Sequence, residues 1–248
     1  MKLLLTSAGV KNANIHAALL DLLGKPIANS SALCIPTALY GHQHGSPGGA
    51  WRFIAGTETP MCELGWKSVG VLELTALPSI DRERWVRWVR EADACWSTAA
   101  MPCICVTGCD SQGLRTSWSQ CTTRSGSAGS MVMTPRVGEH FVETKPPITG
   151  DDLGLGIVDF SIFPHLEHPA FPENTMATAE RWAAGLGFPA YAIDDETAIK
   201  WSAAPSKSSL RATGSSSPAS RDHARSQGGL RARPALSTEV PLALVSSR

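Results

Sequence analysis

Long apolar runs are missing from this 248-residue sequence. No stretch reaches the roughly 18 consecutive apolar residues of a spanning helix, which excludes a helical membrane protein. The opening Met1-Lys2-Leu3-Leu4-Leu5-Thr6 has the look of a signal start. Its apolar run is too short and no cleavage pattern follows, so it reads as a first buried strand and a cytoplasmic location is expected. Net charge is missing too: 22 Lys and Arg balance 22 Asp and Glu, and nothing global points to nucleic acid or an acidic partner. Paired C-x₂-C knuckles are absent. The seven cysteines are an odd number, which argues against a closed disulfide framework. Four of them, Cys103, Cys105, Cys109 and Cys121, cluster, but with a C-x-C-x₃-C spacing unlike that of common structural zinc sites. Neither a metal nor any other cofactor is expected.

What is present is an alternation of strand-like and helix-like segments. Lys2–Thr6 is strand-like, and Asn14–Leu23 carries Ile15, Leu19, Leu20 and Leu23 at helical spacing before Gly24. Ala32–Pro36 and Ser68–Thr75 read as strands. Ser79–Ala92 reads as an amphipathic helix with Ser79 as N-cap and Trp85, Val86 and Val89 as its core stripe. Later come a strand at Leu155–Phe163 and a helix at Asn174–Leu186, capped by Asn174 or Thr175 and stopped at Gly187. Strands at Ala190–Ile193 and Thr197–Lys200 flank a turn at Asp194-Asp195. This rhythm predicts an α/β fold, a mostly parallel sheet with helices on both faces. Two stretches break it. Residues 95–126 are rich in Ser, Thr, Cys and Gly without a period. Residues 201–248 hold seven Lys and Arg against two Asp and Glu, among many Ser, Ala and Pro, and read as a basic tail without regular structure. Aromatic residues are not interleaved with those charges after Trp201, which argues against single-strand nucleic-acid binding. The domain expected is therefore residues 1–200, followed by the tail 201–248.

The sequence SGSAGSMVMTP, residues 125–135, contains small-x-Ser-x-Gly centred on Ser127. Between a strand and a helix, that pattern makes a sharp turn exposing a nucleophilic hydroxyl. The Ala128 N–H, next along the chain, would donate to an oxyanion. A serine nucleophile needs a base, and His165 follows directly on an apolar strand, at the sheet edge where open α/β folds place their sites. His168 lies farther along the same loop. An acid should orient the base. Glu139, Glu143, Asp151 and Asp152 all lie between Ser127 and His165, as the chain order Ser…acid…His asks, and the sequence does not choose among them.

These residues carry a family resemblance. MKLLLTS, ALCIPTA, GWKSVGVLELTALPSI, SAGSMVMTPRVGEHFVETKPP, LGIVDFSIFPHLEHP, PENTMATAERWAAG and AIDDETAIK together resemble the dipeptidase E (aspartyl dipeptidase)-like serine peptidases, relatives of cyanophycinase. The resemblance spans residues 1–94 and 127–200. It implies a class I glutamine amidotransferase-like (flavodoxin-like) fold and a Ser–His–acid triad. Carried over, Ser127 is the nucleophile, His165 the base and Glu143 the first choice of acid, ahead of Glu139. The partners implied are a small peptide substrate and at most a second copy of the chain, with no nucleic acid and no membrane.

The family's pattern fails before the serine. Its Gly-Gly-Asp or Gly-Gly-Asn loop, which helps build the oxyanion hole, has no counterpart in 95–126, and Ser125 stands where the family usually has Gly. Reading across codon boundaries recovers the loop. Trp96 is TGG, so a following TC gives a hidden valine codon. With G at the intervening third positions, the run up to Met101 and Pro102 hides Val-Asp-Gly-Gly-Asp-Ala. The same offset under the start of the tail, KWSAAPSKSSLRATGSSS, hides a strand–glycine turn–strand pattern. The expectation is a frameshifted relative, in frame at 1–94 and about 127–200. Two functions follow from different classes: a serine peptidase for short peptides, impaired in this form, or a catalytically inactive or misfolded relative.

Overall fold

The apolar run KLLLT forms strand β1 (Lys2–Thr6) in this computed structural model, which describes residues 2–37, 39, 46–55, 60–97, 127–141, 152–202 and 242–245. Helix α1 (Ala13–Leu23) follows. It is capped by the Asn12 side chain, which accepts from the Ile15 N–H, and closed by Gly24 at φ 69°, a left-handed turn that glycine makes without a Cβ clash. Strand β2 (Ser31–Ile35), short helices α2 (Pro47–Ala55) and α3 (Pro60–Glu63), and strand β3 (Ser68–Val71) come next. The strand expected to run on to Thr75 stops early. Thr37 Oγ1 donates to Glu73 and accepts from the Leu74 N–H, opening a 3₁₀ turn at Leu74–Ser79 that buries Leu74 and Leu77. Helix α4 (Arg82–Glu91) buries Trp85, Val86 and Val89 as expected, but its N-cap is Asp81 rather than Ser79, because the turn extends through Ser79.

Strand β4 (Ala94–Ser97) ends the first half, and α5 (Ser127–Val132) opens the second. The strand expected over Leu155–Phe163 is only β5 (Ser161–Phe163). The backbone before it is used otherwise: the N–H groups of Leu155, Gly156, Ile157 and Val158 donate to carbonyls of Val132, Thr134 and Met133, wrapping the end of α5. Those groups satisfy helix-end acceptors and are lost to any ladder. Helix α6 (Met176–Ala184) has Thr175 as its cap and ends at Gly185, before the expected Gly187. Strands β6 (Ala190–Ile193) and β7 (Ala198–Ser202) flank the Asp194-Asp195 turn. A last strand, β8 (Leu242–Val245), corrects the reading of 201–248 as wholly irregular: this apolar run pairs in parallel with β6.

Among the described residues the strands form three ladders. Two are parallel, ordered β3-β2-β4 and β5-β6-β8, and the third joins β1 to β7 antiparallel. Alternation along the strands feeds two cores. Leu3, Leu5, Ile35 and Cys95 join Trp85 and Val89 of α4 in one, while Leu4, Ala32, Cys34 and Trp96 join Ile15 and Leu19 of α1 in the other. Helices thus cover opposite faces, as the hydrophobic pattern of the strands predicts. A third cluster packs Trp182 of α6 on Phe163 and Ala192. None of the helices described is long and apolar enough to cross a membrane.

Candidate active site

Three strand ends converge on one buried hydroxyl. Ser7, just past β1, donates to the carbonyl of Ile193 at the end of β6 (3.2 Å) and accepts from the backbone N–H of His165, two residues past β5 (3.1 Å). Beyond it the chain turns sharply. His165 and Glu167 both sit at φ 54°, the left-handed region that non-glycine residues occupy sparingly. The loop is held there by buried Asn174, whose side-chain amide donates to the Pro164 carbonyl while its own carbonyl accepts from the Glu167 N–H.

This backbone aims the His165 ring at Asp195, in the turn between β6 and β7. Nδ1 of His165 lies 2.6 Å from Oδ1 of Asp195, and the two side chains are 22% and 23% exposed. Against a carboxylate, Nδ1 carries the proton, which leaves Nε2 as the acceptor available to a substrate or nucleophile. Burial pushes the Asp195 carboxyl up, but the hydrogen bond from His165 and the charges of His165, His168 and Lys11 together outweigh it and hold the group below the ordinary carboxylate range. Asp195 is therefore ionised wherever the imidazole can act as a base.

The helix that opens at Ser127 packs onto the same strands. Ser130 Oγ donates to the Thr6 carbonyl (3.0 Å) and accepts from the Thr6 N–H (2.9 Å), fixing α5 to the end of β1. A Cβ on Gly129 would fall 2.4 Å from the Ser97 carbonyl oxygen, so only glycine lets α5 approach β4 this closely. That is the work expected of the Gly in small-x-Ser-x-Gly. For Ser127 and Ala128 the structure gives the backbone, the first two residues of α5.

The acids expected from the sequence do not meet His165 among the described residues. Asp152 is buried in an ion pair with Arg136 (2.9 Å) and also accepts from the Gly138 N–H (3.1 Å). Glu139 lies in the 3₁₀ turn Glu139–Phe141. Glu143 and Asp151 fall outside the described residues, as do Cys103, Cys105, Cys109, Cys121 and the stretch expected to hold the hidden loop beyond Ser97. Asp195 was missed because the assumed order, acid before histidine, excluded every carboxylate after residue 165. The signal was there: Asp194-Asp195 follows an apolar strand at its carboxyl end, the same position that singled out His165.

Solved structures share this architecture. A putative peptidase E protein from Listeria monocytogenes EGD-e superposes with a TM-score of 0.53 at 17% identity, over 82% of this chain and 98% of that one. A peptidase from an acI-B1 Actinobacterium gives 0.54 at 21% identity, over 81% and 82%. The flavodoxin-like α/β fold expected from the sequence is thereby shown. Comparison with curated proteins gives no match. Residues 106–205 match the profile of peptidase family S51. Over this stretch the chain is similar to the S51 peptidases. The S51 match contains Ser127, His165 and Asp195 together. It also takes in residues 106–126, part of the stretch that departs from the family's pattern as read from the sequence.

Proposed function

We propose that this chain is a dipeptidase E-like relative of family S51, built for serine-peptidase chemistry on short peptides. Ser127 attacks the scissile carbonyl, and Nε2 of His165 takes its proton and returns it to the leaving amine. Asp195 holds the imidazole in the Nδ1–H tautomer and stabilises the imidazolium that forms. The backbone N–H of Ala128 donates to the developing oxyanion. Asp195 replaces Glu143 in this assignment, and the observation that carries it is the 2.6 Å contact between Asp195 and Nδ1 of His165, at the sheet edge onto which α5 packs. No cofactor enters the reaction. The compartment proposed is the cytoplasm.

The frameshift belongs to the same proposal. Sequencing of the source DNA is expected to show Asp-Gly-Gly-Asp codons one base out of register beneath Thr98–Met101. Bases there that cannot encode glycine in the shifted frame would remove the idea. The activity test uses a panel of dipeptides, aspartyl ones included, with Ser127→Ala as the blank. Hydrolysis by the frame-restored chain that survives this substitution would sink the serine mechanism.

A further inference from the structure

His165 is not alone on its carboxylate. Nε2 of His168 stands 3.4 Å from Oδ2 of Asp195, the oxygen that His165 does not use. The proton on His168 has a defined place. Its Nδ1 accepts the backbone N–H of Ala170 at 3.0 Å, so in the neutral ring the hydrogen must sit on Nε2, facing Asp195. The two imidazoles are set edge to face with centroids 5.9 Å apart, and Phe171 lies against both, at 5.1 Å from His165 and 5.4 Å from His168. The backbone fixes the second ring as firmly as the first: the His168 N–H donates to the His165 carbonyl, and the Phe171 N–H donates to the His168 carbonyl.

We propose that His168 is a positioning residue, a second N–H donor that clamps Asp195 from the side opposite His165. This rests on the reading of His165 and Asp195 as the base and acid of the site. A carboxylate held at one oxygen can swing about its last bond; held at both, it presents a fixed acceptor to the Nδ1–H of His165. At 3.4 Å the second contact has the length of a charge pair rather than a tight hydrogen bond, so its pull strengthens when His168 gains a proton. Lys11 is a further cation acting on Asp195, whereas the neighbouring Asp194 carboxylate is turned to the Glu196 N–H.

Nuclear magnetic resonance of the intact chain reads this without relying on turnover. The Nδ1–H of His165 is expected as a downfield proton resonance that Asp195→Asn removes. In His168→Phe, which keeps a ring against Phe171, that proton should exchange with water about tenfold faster. In His168→Gln, whose amide supplies an N–H near the Nε2 position, exchange should return close to the original rate. In both variants the Asp195 carboxyl carbon should titrate at higher pH than in the parent, because the imidazolium that helps to hold it down is gone. Unchanged exchange and unchanged Asp195 titration in both variants would overturn the clamp while leaving the His165–Asp195 pair intact. Absence of the downfield proton in the parent would overturn the pair itself. The parent gives a further check should a variant fail to fold: nitrogen shifts must show neutral His168 protonated on Nε2, and the opposite tautomer refutes the proposal.

Discussion

In the proposed mechanism a single side chain, Asp195, governs both the imidazole and the response to acid. In serine peptidases the carboxylate fixes the tautomer of the base, and an amide in its place fixes the wrong one. Asp195→Asn in the frame-restored chain is therefore expected to lower kcat by about 10⁴-fold, measured against the Ser127→Ala background. An effect below tenfold would return the acid's role to a carboxylate outside the described residues. The linkage to stability has a definite sign. The Asp195 carboxyl is held below its ordinary value in the folded protein. Its contribution is complete above the unfolded-state value of about 4 and is lost as pH falls through the folded value. The urea midpoint should thus fall more steeply on acidification in the parent than in Asp195→Asn. At this scale the sequence was half legible. His165 could be found because an apolar strand runs straight into it. Asp195 follows a strand in the same way, but the residues do not reveal which acid faces the imidazole until β5 and β6 are known to be neighbours.

Elements were legible in kind and less so in extent. Helices α1 and α4 follow from their apolar spacing, because burial of one face decides both the periodicity and the packing. Ends depended on contacts far along the chain. The stretch before β5 has strand composition, yet its N–H groups close the end of α5, a use no local pattern announces. Capping behaved similarly: Ser79 and Asp81 are both good caps, and the 3₁₀ turn running through Ser79 selects Asp81. The contact between α5 and β4 gives the sharpest prediction. Gly129→Ala would drive a methyl group into the Ser97 carbonyl, and α5 must shift to admit it. A loss of about 1–3 kcal/mol is expected, read from chemical denaturation. Since Ser127 lies one turn or less from Gly129, activity of the frame-restored chain should fall with stability. A neutral outcome would mean that α5 stands farther from β4 than described.

For the whole molecule, the question is whether three ladders do the work of one sheet. A doubly wound fold places its nucleophile turn at the end of an interior strand. Among the described residues, α5 begins at Ser127 with β4 as the strand before it in the chain, the twenty-nine residues 98 to 126 lying between. On the proposed frameshift, restoring the frame would supply the oxyanion loop and a strand leading into the turn. We expect dipeptide hydrolysis to rise by at least about 10²-fold, the usual value of one oxyanion donor. Without that strand the chain should aggregate sooner on warming, because an unpaired strand edge recruits other chains. Equal activity and equal light scattering in the two versions would show that residues 95–126 already build what the site needs. The tail was misread for a physical reason: its composition resembles that of an unfolded segment, but four apolar residues suffice for a strand when a partner edge is waiting.

The pairing of β1 with β7 has a consequence for how the molecule comes into being. Lys2 faces Ser202 and Thr6 faces Ala198, so the first strand of the chain finds its partner almost two hundred residues later. A contact of such long range is closed slowly, after local helices have formed. Among the described residues the ladder partner of β1 is β7, and Ser7, the hydroxyl that ties the His165 loop to β6, sits at the end of β1. Pairing of β5 with β6 brings the His165 and Asp195 loops side by side, and the long-range β1–β7 closure adds the Ser7 tie that seats the His165 backbone. A nascent chain halted before residue 198 would carry the serine, the histidine and the aspartate and still lack the β1–β7 ladder that seats Ser7 beside them.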